Sequence, residues 1–435
     1  MFRRKLLIIF LAVIVLCATA GFLYYLPPVH DRLGWRVDEL VLKARYAINP
    51  PEKVVFVPQQ AAVLPPPAVY TATLAPTNPP VEGATPDGPT PAPLPSPTAT
   101  LVPTPLPLKV SLDKVRYEDQ HGRFNYCAPA NLAMALSYWG WDGDRDTVGP
   151  VIKPDPKDKN VMPYEMADYV LENTDLRADV RVGGDLDTLK RFISAGFPVL
   201  VEKGVYLTDL SGIKSWMGHY LVVTGYDESS SEFTAQDSYV GADRQVAYAD
   251  MLKGWRAFNY IYMIIYPAEK AAQVKELLGP DADETTNYHN AALKASNEVY
   301  GLEGIDQYFA WFNRGTNLDK LQDYAGASDA YDNAFLVYPT IPEAERPWRM
   351  LWYQTGPYHA YFYYQRYWDV LNLAETTLSQ MQSEKNIEET YYWRGMAKDA
   401  LGDSAGAIED FRLALQYHPG FVPAMNALDS LGAAY

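Results

Sequence analysis

Asn125-Tyr126-Cys127-Ala128-Pro129-Ala130-Asn131-Leu132-Ala133-Met134-Ala135-Leu136-Ser137-Tyr138-Trp139-Gly140 joins a lone thiol to an apolar helical pattern. Leu132, Ala135, Leu136 and Trp139 follow the i, i+3, i+4, i+7 spacing of one helix face, and Gly140 stands where a helix stops. Pro129 suits the first turn, where its missing N–H costs nothing. Cys127 therefore falls at the positive end of the helix, where unpaired N–H groups and the macrodipole favour a thiolate. A cysteine nucleophile needs that placement.

Working outward, 435 residues are enough for two or three domains. A formal net charge of −16 excludes nucleic acid as the main partner, because binding phosphates takes a surplus of Lys and Arg. The acidic residues form no long run and read as a solvated surface. There are 2 cysteines, Cys17 and Cys127, and Cys17 lies in an apolar segment, so Cys127 is expected to be a free thiol with no disulfide framework around it.

Residues 6–26 are almost all apolar, the length that crosses a bilayer as a helix. Arg3, Arg4 and Lys5 precede them, which by the positive-inside tendency places the N-terminus in the cytoplasm and the rest of the chain outside. A cleaved signal peptide is the rival reading, since Ala18-Thr19-Ala20 resembles a cleavage site; apolar and aromatic residues continuing through Leu26 favour an uncleaved anchor. Leu16, where a lipoprotein has a small residue, leaves Cys17 as a membrane-helix residue. Residues 1–27 are thus expected to be a cytoplasmic stub and single-pass anchor. Trp35, Val37, Leu40 and Val41 hint at a short helix near the bilayer surface. From Pro58 to Pro107 the composition shifts to Pro, Thr and Ala with hardly a charge, so residues 28–109 are expected to be a juxtamembrane segment and an extended stalk.

Residues 110–267 read as a mixed α+β domain. Helical spacing recurs at 162–172 and 186–194, and strands are expected at 197–202, 220–226, 232–236 and 258–266, with Asp227-Glu228-Ser229-Ser230-Ser231 as a hairpin turn. Residues 268–435 read as helical repeats. Trp311, Gly315, Ala327, Tyr331, Ala334 and Pro339 recur at one constant displacement as Tyr391, Gly395, Ala407, Phe411, Ala414 and Pro419. This matches a tetratricopeptide pattern, in which small residues let paired helices approach. A degenerate middle unit is expected over 361–381 and a capping helix over 421–431. The aromatic residues Tyr361, Phe362, Tyr363, Tyr364, Tyr367 and Trp368 read as packing between these helices.

Nucleophilic thiol chemistry takes a thiolate, an imidazole to carry the proton and a group that orients the imidazole. Of 6 histidines, His219 stands out because it opens a strand, in Met217-Gly218-His219-Tyr220-Leu221-Val222-Val223, after a glycine read as leaving room for a substrate chain. Asp237 ends the next strand, where a carboxylate reaches across the hairpin to the ring. No metal-ligand spacing, Gly-rich phosphate loop or basic stripe is present, and neither a cofactor nor a metal is expected.

Gln120 through Gly140, with the His219 strand and Asp237, resembles the papain-like family-thirty-nine cysteine peptidases, the bacteriocin-processing group, and more narrowly its C39-like stand-alone members. The resemblance implies Cys127 as nucleophile, His219 as base and acid, Asp237 as the orienting carboxylate and Gln120 as an oxyanion-hole donor beside the Cys127 N–H. The sequence departs from the family pattern in Ala128, where Gly is usual after the nucleophile, in Ser238, where Pro is common, and in a slightly longer spacing from Gln120 to Cys127. The reading is a membrane-anchored extracytoplasmic cysteine peptidase acting on a peptide or protein, with tetratricopeptide (TPR) repeats docking a substrate or protein partner. Lack of a Walker sequence separates it from transporter-fused members. The alternatives are an inactive papain-like/TPR binding scaffold and a transglutaminase-like acyl transferase.

Overall fold

A computed structural model describes residues 2–48, 54–59, 105–208, 214–381 and 385–435. Two helices, α1 (Phe2–Tyr24) and α2 (Pro27–Ile48), come first. Among the described residues no helix is long and apolar enough to cross a membrane. The expected single-pass anchor, with the N-terminus in the cytoplasm and the later domains outside, is therefore not supported. The physical reason is how the apolar run is divided: Arg3, Arg4 and Lys5 occupy the first turn of α1, and the helix stops at Tyr24, short of Leu26. The expected stalk lies almost wholly outside the described residues. Just before it, residues 54–59 dock on the C-terminal helices: Phe56 is buried against Phe335, with ring centroids 4.9 Å apart, and Gln59 N–H donates to Asp369 Oδ1 at 2.8 Å.

The α+β part is built on a 7-stranded sheet with strand order β2-β7-β3-β4-β5-β6 and β1 added against β4. The strands are β1 (Lys109–Ser111), β2 (Leu176–Arg181), β3 (Val199–Thr208), β4 (Lys214–Asp227), β5 (Glu232–Asp237), β6 (Gly241–Ala247) and β7 (Tyr262–Pro267), and every pairing is antiparallel. Side chains alternate between faces along a strand. Val199, Val201, Leu221 and Val223 pack on one face with Phe192 and Trp255, whereas Leu200, Tyr220 and Val222 pack on the other with Leu132 and Leu136. Each fully buried aliphatic or phenyl side chain contributes about 1.5–3 kcal/mol.

Helices α3 (Cys127–Ser137), α4 (Arg145–Ile152) and α5 (Pro163–Asn173) cover the second face, while α6 (Leu186–Ser194) and α7 (Tyr248–Arg256) cover the first. The expected helices are α3, α5, shifted by one residue, and α6, with the expected bounds. Asp144 and Thr147 form a capping box that opens α4, and the Asp185 carboxylate accepts the Thr188 N–H at 2.7 Å to open α6. The closing strand begins at Tyr262 and not at Phe258, because Asn259 and Tyr260 take left-handed conformations, φ +53° and +51°, and turn the chain.

Beyond β7 the chain is helical: α8 (Ala271–Leu278), α9 (Glu284–Glu298), α10 (Gly304–Lys320), α11 (Tyr324–Val337), α12 (Met350–Tyr353), α13 (Gly356–Tyr363), α14 (Tyr367–Ser379), α15 (Glu388–Ala400), α16 (Ser404–Tyr417) and α17 (Val422–Ser430). The pairs α10/α11 and α15/α16 pack as hairpins with the same close contact: Gly315 against the Tyr331 ring and Gly395 against the Phe411 ring. Both second helices open on the same cap, Asp323 to the Gly326 N–H and Asp403 to the Gly406 N–H, each at 2.9 Å. Polar clasps hold this half to the sheet. Asn287 exchanges both amide hydrogen bonds with the Val182 backbone, at 3.0 and 2.9 Å, and Asn259 pairs with Asn317 at 2.7 Å.

A methyl group at Gly395 would lie 2.7 Å from the Phe411 ring and 3.2 Å from the Ala407 carbonyl. Overpacking of about 1–3 kcal/mol outweighs the about 1 kcal/mol that helix propensity returns for Gly to Ala. Gly395→Ala is expected to lower the urea midpoint, and an unchanged midpoint would show that the ring has room to yield.

Candidate active site

Cys127 is the first residue of α3, so its backbone N–H has no acceptor within the helix. β4 brings His219 to it, and β5 ends on Asp237, the neighbour across the sheet. His219 Nε2 donates to Asp237 Oδ1 at 2.7 Å, and His219 and Cys127 line the same cleft, close enough for each to shift the other's titration. His219 and Asp237 are almost inaccessible, at 2% and 0% exposure. The Asp237 carboxylate is tied further, by the Tyr239 and Val240 N–H groups at 3.0 and 3.1 Å and by Arg244 Nη1 at 2.6 Å.

These contacts decide the charges. Burial alone would raise the Asp237 carboxyl, but His219, the Val240 N–H and Arg244 more than offset it and hold it well below the ordinary carboxylate range. Burial alone would lower His219, yet Asp237 and Cys127 raise it to about 9. For Cys127 burial works against the thiolate, and the hydrogen bond and charge of His219, with smaller help from the Tyr220 N–H and Lys153, bring the thiol below its usual value. A thiolate–imidazolium pair is the state these shifts favour. The two groups titrate as a pair.

Gln120 lines the same cleft. Its N–H donates to the Ser238 carbonyl at 2.9 Å, and the Ser238 hydroxyl donates to its Oε1 at 2.7 Å. With Oε1 so engaged, the Nε2 hydrogens are the part of the amide left for a ligand. Ser238 is in turn held by Asn131 Nδ2 at 2.8 Å, which also donates to the Tyr220 carbonyl at 2.8 Å. This chain explains the serine after Asp237: a proline there has no hydroxyl to orient Gln120. Asn131 sits one turn after Cys127 on α3, a spacing the sequence displayed without marking its use.

The cleft has a volume of about 960 Å³. Its walls come from several separate stretches of the chain. Besides the strand and helix starts, they include Lys153, Glu202 on β3, Arg349, Trp352 and Tyr353 from the α12 region, and Gly34, Leu42 and Lys43 of α2. The helix expected near a bilayer thus borders this cleft. Gly218 does not leave room for a substrate chain: a Cβ there would lie 2.7 Å from Phe258 and 3.1 Å from Tyr353, so aromatic rings fill the space. Glu202 is buried at 3% exposure and pairs across strands with Tyr220. Burial first, and the nearby Cys127 charge second to it among raising influences, push its carboxyl well up, so it adds no charge to oppose the thiolate. Lys153 is lowered to about 8 by burial. None of Lys153, Glu202 and Tyr353 carried a sequence signal, because each reaches the cleft only through tertiary packing.

Residues 112–263 match the model of the Peptidase_C39 like family. Two solved structures are similar: a protein described as a C39-like peptidase from Bacillus anthracis, 17% identical over 36% of this chain and 96% of that one with a TM-score of 0.30, and xylellain, a cysteine protease from Xylella fastidiosa, 17% identical over 38% of this chain and 87% of that one with a TM-score of 0.29. No curated protein matches this sequence. The family match falls on the α+β part of the chain.

The lowered thiol gives a direct measurement. Alkylation of Cys127 by iodoacetamide, followed by peptide mass spectrometry so that Cys17 is scored separately, is expected to show a half-point below the roughly 8.5 of a free thiol. In His219→Ala burial acts without its counterweight, and the half-point is expected to rise above that value.

Proposed function

We propose that the C39-like domain is a cysteine peptidase in which Cys127 is the nucleophile, His219 carries the proton, Asp237 orients the ring and Gln120 donates to the oxyanion. The observation that carries this reading is the buried His219–Asp237 pair, joined at 2.7 Å, which lines one cleft with Cys127 and lowers its thiol. The Cys127 thiolate attacks the peptide carbonyl carbon, and the developing oxyanion is met by the Cys127 N–H and by Gln120 Nε2. The C–N bond then breaks as the imidazolium gives its proton to the departing amine, leaving a thioester. Water attacks the thioester, the imidazole takes its proton, and the acid leaves with the thiolate restored.

The helical half supports a docking role in the same reading. The recurring Gly315/Tyr331 and Gly395/Phe411 contacts and the paired Asp323 and Asp403 caps support TPR-like units, and the α12 region reaches into the cleft wall. A protein or peptide held on those helices is thereby presented close to Cys127.

Digestion of a peptide library by the full chain tests the reading. Wild type is expected to cleave and Cys127→Ala to give no cleavage, while Gln120→Ala lowers kcat by about 10²–10³-fold, the usual effect of losing one oxyanion donor. Equal patterns from wild type and Cys127→Ala would leave a binding scaffold, and products carrying an added amine in place of water would mark an acyl transferase. Because activity needs the imidazolium, kcat/KM is expected to fall as pH rises through about 9, where His219 loses its proton.

A further inference from the structure

Where α5 meets the starts and ends of α15 and α16, three side chains from distant stretches converge. Glu165 in the first turn of α5, Glu388 at the start of α15 and His418 just after α16 each offer a ligand atom, all within 4.8 Å of one another. His418 Nδ1 lies 2.9 Å from Glu388 Oε1 and 3.9 Å from Glu165 Oε1. A tetrahedral ion with bonds of about 2.0–2.1 Å has ligand–ligand edges of about 3.3–3.4 Å, and the two observed separations lie on either side of that.

The carboxylates are only half satisfied. Glu165 Oε2 accepts the Met162 N–H at 2.6 Å, leaving Oε1 to face His418. Glu388 is 3% exposed, and its Oε2 is buried with no hydrogen-bond partner among the described residues; the same holds for Asn386 Oδ1, two residues away, in a side chain also 3% exposed. An unmet buried acceptor of this kind is destabilising, more so when charged. Asp158, itself buried, and Glu389 add acidity within electrostatic reach of Glu388. Facing them are His418 and, toward Asp158, Lys153 and Lys159, while Lys153 is engaged with the Phe124 carbonyl at 2.6 Å.

We propose that Glu165, Glu388 and His418 bind one divalent ion of the zinc class, which clamps α5 of the C39-like domain to the helical half. One imidazole with two carboxylates suits zinc better than calcium or magnesium, which take oxygen ligands alone. This inference stands apart from the peptidase reading. No sequence spacing betrayed it, since the three ligands come from three unconnected segments.

The test uses the full chain carrying Cys127→Ala, so that zinc on the thiol does not count. After equilibration with Zn²⁺ and removal of excess, one zinc per chain is expected by elemental analysis, with a higher melting temperature. X-ray absorption at the zinc edge is expected to show only nitrogen and oxygen ligands near 2.0–2.1 Å, including one imidazole. Glu388→Gln and His418→Ala are each expected to weaken binding at least tenfold. Absence of retained zinc, sulfur in the first shell, or a preference for Ca²⁺ or Mg²⁺ would overturn the proposal. These readouts on the Cys127→Ala chain decide it even if the two variants fail to fold.

Discussion

Asp237 has no accessible surface, and everything at the cleft depends on keeping its charge there. An isolated buried carboxylate is strongly disfavoured. This one is matched by a ring, two backbone N–H groups and a guanidinium, all at 2.6–3.1 Å. The backbone donors come from the residues that follow β5, so the turn between β5 and β6 is shaped around the carboxylate. Once the negative charge is secured, the imidazolium beside it is favoured, and the imidazolium in turn favours the thiolate. The order of cause runs from the sheet to the sulfur.

The second constraint is the junction between the sheet and the C-terminal helices. Trp216 and Phe258 belong to the α+β part, yet they pack in one core with Phe309, Tyr353 and Tyr331. Gly218 is a glycine because Tyr353 and Phe258 press on it from this side, one residue from His219. The helices therefore bear directly on the strand that carries the imidazole. Two bodies with a shared apolar core and Asn287 and Asn259 clasps form a common wall for the cleft.

Much of the α+β part was legible because its signals are local. The helix after Cys127, the β-branched strand after His219 and the hairpin to Asp237 each follow from short-range periodicity, and the structure brings these residues together. The repeat of Gly315 as Gly395 was legible for the same reason, since a ring pressed on a helix demands a missing side chain. What escaped has a different origin. Ser238, Asn131 and Gln120 form a relay that links residues more than a hundred positions apart. Glu165 and Glu388 looked like solvated surface acids because burial is a tertiary property. The apolar run at the N-terminus read as a spanning helix on composition alone, while the helix formed there spends its first turn on Arg3, Arg4 and Lys5.

Residues 54–59 have a consequence of their own. Phe56 sits in the aromatic core of the helical half, Gln59 is bonded to Asp369, and Arg366 fixes that same carboxylate at 2.8 Å while gripping Asp332 through two further bonds at 2.7 and 3.0 Å. Further along, β1 is stitched to β4 at Val110 and Ser111. Both flanks of the intervening proline-rich stretch are thus moored independently to the folded body. A protease nicking that stretch would give two polypeptides that migrate as one particle in a native gel and separate only on denaturation.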